Sequence, residues 1–383
     1  MDIFDKNREG IIQYFKEGCK PTDMPIHFGV ELEHFIVHAD TKEAVAYEGE
    51  GGVEAILKEL MPFYDESAYS HGHLIALGRE GIALSLEPGA QLEVSISPQT
   101  DIFRIKEIYD VFCGEISPVL EKYSYEMVTV GYQPKSKVNE LGLLPKARYE
   151  YMDKYFQTIG PWGRRMMRGT ASTQVSIDYY SEDDFMKKYR IAYSLKEVLA
   201  CFFSNTHVFE GEVYTGRDLR DRVWLGTDER RVEVASYMED NTLSFAGYAD
   251  FVMQTPVIVN KEDGREFYDE RTIGEIAGER IFSKDEMVHM LSMVFPMIRA
   301  KQFLELRFAD SMPMERVLCY VLLIKGLFSD AEYTQGLIFS EDFEKMNVNR
   351  KMRHIVEGIE SKLSKAENDY IKDCNIWEWN LQN

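Results

Sequence analysis

The 383-residue chain is predicted to adopt an α+β fold, on three observations. Short segments that alternate apolar and polar residues, bounded by Gly and Pro, recur from residue 28 to residue 308. Between them lie longer segments with apolar residues at helical spacing. No internal repeat, low-complexity stretch or linker-like segment separates these parts, so residues 1–383 read as one domain, with strands spread along the chain and helices between them.

Taken in order, residues 2–18 carry Ile3, Phe4, Ile11, Ile12 and Phe15 at helical spacing, and Pro21 and Pro25 end that helix. Residues 28–36 alternate as a strand, with Val30 and Leu32 on one face and Glu31 and Glu33 on the other. A short helix follows at 53–61. Segments 73–77, 82–86 and 91–96, separated by turns at 78–81 and Pro88-Gly89, form an antiparallel meander. In its third strand Gln91, Glu93 and Ser95 share a face.

Helices are expected at 102–123 and 148–156, and a strand at 127–132. Residues 166–178 alternate as a further strand that turns Gln174, Ser176 and Asp178 to one side. A long helix is expected at 183–203. Residues 206–231 read as a loop rich in arginine, with Arg217, Arg220, Arg222, Arg230 and Arg231. Beyond it come a strand at 248–259 broken by Pro256, a helix at 285–294, and a strand at 302–308 with Glu305 and Arg307 on one face. A helix at 314–328 and a charged helical region at 341–366 lead to a tail whose Trp377 and Trp379 are expected to pack back on the body.

Charge narrows the function. With 44 Lys and Arg against 65 Asp and Glu, the formal charge is −21, which argues against nucleic acid or an anionic membrane as the main partner. The N-terminus lacks a hydrophobic signal segment and no run has the length of a membrane-spanning helix. The five cysteines are widely spaced and odd in number, with no Cys-x-x-Cys, so a reducing cytoplasm is the expected location.

The chemistry concentrates in the acidic strand faces. No P-loop, Gly-x-Gly-x-x-Gly after a strand, or His-Glu-x-x-His motif is present. His34, next to the acidic pair, points to the opposite face of a regular strand and reads as structural. Glu31, Glu33, Glu93 and Glu305 instead lie on strands with apolar reverse faces. A solvated strand face would carry the same pattern, and Glu87 could serve its own turn. If the strands share one sheet, however, the acids converge, and such oxygen-only ligands suit Mg²⁺ or Mn²⁺. The arginine loop and Arg307 would then supply positive charge for phosphates and carboxylates.

Five ordered motifs carry a family resemblance. They are Gly29-Val30-Glu31-Leu32-Glu33; Glu87-Pro88-Gly89-Ala90-Gln91-Leu92-Glu93; Met166-Met167-Arg168 through Thr173-Gln174-Val175; Arg220-Asp221-Arg222-Val223-Trp224; and Leu304-Glu305-Leu306-Arg307 with Asp310. In these the chain resembles the second family of glutamate–cysteine ligases, carboxylate–amine ligases of plants and bacteria. The resemblance implies a glutamine synthetase-like catalytic domain, a curved, mainly antiparallel sheet with helices on its outer side. It also implies that Glu31, Glu33, Glu93 and Glu305, with Gln174, hold Mg²⁺, and that Arg307 and Glu87 are catalytic. Arg168, Thr173, Arg220 and Arg222 would bind substrate or phosphate. Departures from the family pattern are Ala90 in place of a glycine, Ser204-Asn205-Thr206-His207 where the family has Asn-Ser-Pro, and Phe308 after Arg307 where the family has a small residue.

The implied reaction uses ATP to form γ-glutamyl phosphate from glutamate. The amine of cysteine then displaces phosphate to give γ-glutamylcysteine, the first step of glutathione-type thiol synthesis. The competing readings are the same chemistry on a different amine and a catalytically silent amino-acid or nucleotide binder.

Overall fold

The strand Phe28–His38 (β1) lies in the middle of a nine-stranded sheet. This computed structural model describes residues 1–216, 219–232, 234–239 and 242–377. The strands after β1 are β2 (Glu66–Ser70), β3 (His73–Arg79), β4 (Ile82–Leu86), β5 (Leu92–Gln99), β6 (Tyr125–Val128) and β7 (Ser172–Ile177). Then come β8 (Val208–Phe209), β9 (Glu212–Val213), β10 (Pro256–Glu262), β11 (Arg265–Thr272), β12 (Ile298–Ala300) and β13 (Leu304–Asp310). The sheet runs β12-β13-β7-β1-β5-β4-β3-β2, with β6 paired to the far end of β1, while β8-β9 and β10-β11 form separate hairpins. Every strand pair among the described residues is antiparallel.

Alternation along the strands sorts the side chains. Val30, Leu32, Leu92, Val94, Val175, Ile177, Leu304 and Leu306 are buried in the core. The helices Phe103–Tyr123, Glu182–Phe202 and Met314–Phe328 pack on the sheet at β5, β13 and β7. The last of these is apolar all round and buried over nearly its whole length, as expected of a helix enclosed by protein. The other face carries Glu31, Glu33, Glu93 and Gln174. Register decides their neighbours: Glu33 is opposite Glu93, and Glu31 is opposite both Ser95 on β5 and Gln174 on β7.

Several elements differ from expectation for physical reasons. Residues 163–169 are helical, and the strand starts only at Ser172. Residues 245–254 form a helix, because Ser244 caps it and its apolar residues are buried on more than one face, which blurs the period; Pro256 opens β10. The arginine-rich stretch contains the short helices Leu219–Leu225 and Glu229–Val232. Strands β2 and β11 are largely exposed, so neither shows the apolar alternation that marks a half-buried strand. Trp377 packs edge-on to Phe202 at 6.0 Å; Trp379 and Arg217 lie outside the described residues. No helix among the described residues is long and apolar enough to cross a membrane.

Candidate active site

A cavity of about 300 Å³ opens on the polar face of the sheet, lined by Glu31, Glu33, Glu87 and Glu93 on one side and Arg299, Lys301 and Arg307 on another. The turn between β4 and β5 sets two of the acids. Gly89 passes so close to the segment before β7 that a Cβ there would lie 2.5 Å from the Arg168 carbonyl oxygen. Its N–H donates to Gln91 Oε1 at 2.8 Å, and Gln91 Nε2 donates to the Thr170 carbonyl at 2.9 Å. These contacts fix Glu87 and Glu93 on either side of the turn. The turn's Ala90 N–H donates to the Glu87 carbonyl at 2.9 Å, and among the described residues no N–H group of the turn reaches the Glu87 carboxylate, which is left to the cavity.

The acids divide into two kinds. Glu305, fully buried, is held by Arg299 Nε at 2.7 Å, Lys301 Nζ at 2.5 Å and Arg307 at 2.8 Å. Burial alone would raise its pKa, yet these three cations hold it well below the usual carboxylate range. Arg307 also donates to Gln174 Oε1 at 2.5 Å, Gln174 Nε2 donates to Glu33 Oε1 at 2.9 Å, and the Ser172 N–H donates to Glu33 Oε2 at 2.7 Å. Gln174 is therefore the bridge between cationic and anionic halves.

Glu31, Glu33, Glu87 and Glu93 have no Lys or Arg at ion-pair distance among the described residues. Burial, then the neighbouring acids Glu305 and Glu93, push Glu31 up to about 7. Burial and Glu33 push Glu87 up to about 7, and burial with Glu87 and Glu33 pushes Glu93 up to about 8. Glu33 is raised too, by burial, against the pull of Arg220 and Arg307. Four carboxyl groups facing one cavity without matched cations are oxygen donors of the kind a hard divalent cation takes. Among the described residues no three acids are gathered closely enough to hold a metal ion.

A second cavity of about 330 Å³ continues along the same face, and Glu31 lines both. Its floor includes Gly29, Gly78, Ala83, Ser95 and Ser176, small side chains on neighbouring strands, with Phe303 and Ile82 at its edges.

Residues 27–370 match the family described as glutamate-cysteine ligase family 2 (GCS2). The chain belongs to this family. It is 28% identical over 340 residues to glutamate–cysteine ligase A, chloroplastic, of Oryza sativa subsp. japonica, covering 86% of this chain and 68% of that protein. The chloroplastic glutamate–cysteine ligase of Arabidopsis thaliana is 26% identical over 341 residues, covering 86% of this chain and 64% of that one. In fold the chain is similar to the crystal structure of glutamate–cysteine ligase from Francisella tularensis in complex with AMP, with a TM-score of 0.55 and 10% identity over 95% of this chain and 84% of that chain. The α+β architecture and the family are thereby established, and with them an ATP-dependent carboxylate–amine ligase type.

The residues singled out from the family motifs are not all brought together. Glu31, Glu33, Glu87, Glu93, Gln174 and Arg307 line the cavity. Glu305 lies beneath it, under its three cations. Arg220 is buried behind Arg307, donating to the Arg307 carbonyl at 2.6 Å, and both guanidinium groups lie over the Trp224 ring, at 5.6 and 5.1 Å. Arg222 is exposed on its helix and does not line the cavity. Arg168 is held by Asp153 at 2.5 Å and the Leu141 carbonyl at 2.8 Å. Thr173 alternates with Gln174 on β7 and is buried on the other face. Arg230 and Arg231 fasten Asp228 and Tyr155, cross-linking two helices.

Sequence reasoning passed over Lys301, Arg148, Met152 and Ser292, which all line the cavity. Only Lys301 left a local trace, four residues before Glu305. His34 is buried away from the cavity, where Tyr109 Oη lies 2.8 Å from Nε2 and the Leu92 carbonyl 3.1 Å from Nδ1.

Proposed function

We propose that this chain joins the γ-carboxylate of glutamate to the amine of cysteine at the expense of ATP, releasing γ-glutamylcysteine, ADP and phosphate. The observation that carries this reading is the meeting of two cavities at Glu31, with unpaired acids on one side and the Arg299, Lys301 and Arg307 cluster on the other. A nucleotide fits the second cavity, where a floor of small side chains leaves room for a flat base to lie on the sheet. Its phosphates would then reach the first cavity past Glu31. The AMP complex of the Francisella tularensis ligase supports a nucleotide on this fold.

Drawn closer together than they stand here, Glu31, Glu33 and Glu93, with Glu87 beside them, would hold Mg²⁺ or Mn²⁺, which when bound neutralises phosphate charge and so permits attack by an anion. The chain's own residues supply the rest. Arg307, fixed by Glu305 and Gln174, presents its remaining N–H groups to the phosphoryl group passing from ATP to the γ-carboxylate. The acyl phosphate then loses phosphate to the attacking amine, whose proton must be removed. The Glu87 carboxylate, raised to about 7 by burial and Glu33, is suited to accept it. Walls of Met152, Met166, Met167 and Phe295 exclude water from the acyl phosphate and offer a thiol side chain an apolar, polarisable surface.

The test is incubation with Mg-ATP, glutamate and a panel of amines, following ADP release and product mass. Glutamate- and cysteine-dependent ADP with the mass of γ-glutamylcysteine is expected. ADP with another amine but not with cysteine would overturn the acceptor, and no ADP with any amine would overturn the ligase.

A further inference from the structure

Of the cationic side chains lining the first cavity, Arg299, Lys301 and Arg307 all converge on Glu305. Arg148 does not. It enters from the helix Ala147–Ile159 and has no carboxylate at ion-pair distance among the described residues. Its Nε is buried without a hydrogen-bond partner, and its guanidinium makes one long hydrogen bond, 3.5 Å, to Ser292 Oγ and lies 5.9 Å from the centre of the Tyr149 ring. A guanidinium turned into a cavity with a buried, unused N–H is costly unless an anion completes it. The fork of two N–H groups matches a carboxylate bidentately, while Ser292 Oγ, whose own proton goes to the His289 carbonyl at 2.7 Å, accepts from Arg148 and steadies it.

The surroundings narrow the anion. Tyr149 and Met152 on the same helix and Phe295 near Ser292 make the walls beside Arg148 apolar, unlike the acid-lined region where phosphates would lie. An anionic head with a short apolar or thiol-bearing body fits this corner.

We propose that Arg148, steadied by Ser292, is the α-carboxylate anchor of the cavity, so that its substrates there are α-amino acids and not simple amines. The inference rests on the amino-acid ligase reading given above. It adds a residue and a required functional group. The same chemistry could come from the acceptor or from glutamate, and the two predict different kinetics.

The test compares wild type, Arg148→Ala and Arg148→Lys in ADP release and in calorimetric binding. Probes are cysteine against cysteamine, which lacks the carboxylate, and glutamate against 4-aminobutyrate, which lacks the α-carboxylate. If the anchor serves the acceptor, Arg148→Ala lowers kcat/KM for cysteine on the order of 10- to 100-fold and leaves cysteamine unchanged. If it serves glutamate, the KM for glutamate rises by a similar factor, and cysteine and cysteamine turnover fall together. Arg148→Lys recovers part of either loss, since charge remains while the fork is gone. Equal kcat/KM values in wild type and Arg148→Ala would overturn the anchor. Should wild type form no ADP with any acceptor, the ligase reading fails on its own. Calorimetry then still decides the anchor: wild type binding cysteine or glutamate at least tenfold more tightly than Arg148→Ala supports it, and equal or absent binding overturns it. Melting temperatures of all three proteins exclude misfolding as the cause.

Discussion

Glu33 and Glu93 stand directly opposite each other across β1 and β5, two carboxyl groups that repel whenever both are ionised. Ser85 donates to Glu93 at 2.7 Å, and Gln174 and the Ser172 N–H donate to Glu33, but no cation separates the pair. Such a pair lowers the stability of the ligand-free protein, and its retention points to use. Glu93→Gln is therefore expected to raise the stability of the ligand-free protein by about 1 kcal/mol while lowering turnover at least about 100-fold. Thermal melts and ADP release measured on the same preparation check both halves. A variant that is stabilised and fully active would remove Glu93 from the site.

Mg²⁺ offers a second check on the same cluster. It is expected to raise the melting temperature of wild type, with a smaller effect on Glu31→Ala or Glu93→Ala. Chelation is expected to abolish ADP release, and either Mg²⁺ or Mn²⁺ to restore it. Turnover that persists in chelator would separate the acids from any metal.

Gln174 couples the two halves of the site through one amide, accepting from Arg307 and donating to Glu33. Gln174→Ala leaves both partners buried and short of a bond, an expected cost of about 1–3 kcal/mol. Turnover falls more steeply than stability, because Arg307 loses one of its two anchors. Gln174→Glu is worse still, since it sets a third carboxylate against Glu33. Denaturant unfolding beside kcat distinguishes these effects.

Ala90 adopts a φ of 64°, the left-handed region that favours glycine, in the turn between Glu87 and Glu93. Ala90→Gly is expected to stabilise the protein by about 0.5–1 kcal/mol, the relief of strain exceeding the entropy that glycine adds to the unfolded chain. A lower melting temperature in Ala90→Gly would show that the Ala90 methyl, which is buried, contributes more by packing.

Burial drives the His34 imidazole down to about 4, and a neutral ring with its proton on Nδ1 satisfies both the Leu92 carbonyl and Tyr109 Oη. The folded pKa lies below the unfolded value near 6.5, so the unfolded chain takes the proton first as pH falls. The contribution is complete above about pH 6.5 and is lost progressively down to about pH 4. Against a His34→Gln variant, wild type is expected to lose about 2 kcal/mol of relative stability between pH 7 and pH 5. Urea unfolding of both proteins at the two pH values tests it, and parallel pH dependence would disprove it.

The fold was legible wherever one face of an element is apolar and the other polar. β1, the β3-β4-β5 meander, β13 and the helices behind the sheet follow directly from period and turn residues. Elements with both faces alike escaped: β2 and β11 are exposed, and the helix Phe245–Gln254 is apolar on several sides. In the site, the acids were legible because two-residue spacing puts them on one strand face. The arginine-rich stretch misled for the opposite reason, since Arg220, Arg230 and Arg231 are spent on the neighbouring Asp228 and on Tyr155 and the Arg307 carbonyl, the last two distant in sequence.

By itself the sequence determined which acids share a face, because strand alternation is a local rule that needs no partner. It also determined the family, through five motifs in order. Only the tertiary structure decided which charges are matched. Glu305 and Glu33 look alike on their strands, yet one lies under three cations and the other faces Glu93. Arg168 and Arg148 look alike in the chain, yet Asp153 holds the first and, among the described residues, no carboxylate holds the second. Charge pairing depends on contacts between residues far apart in sequence and on burial, and neither is written in the spacing of side chains.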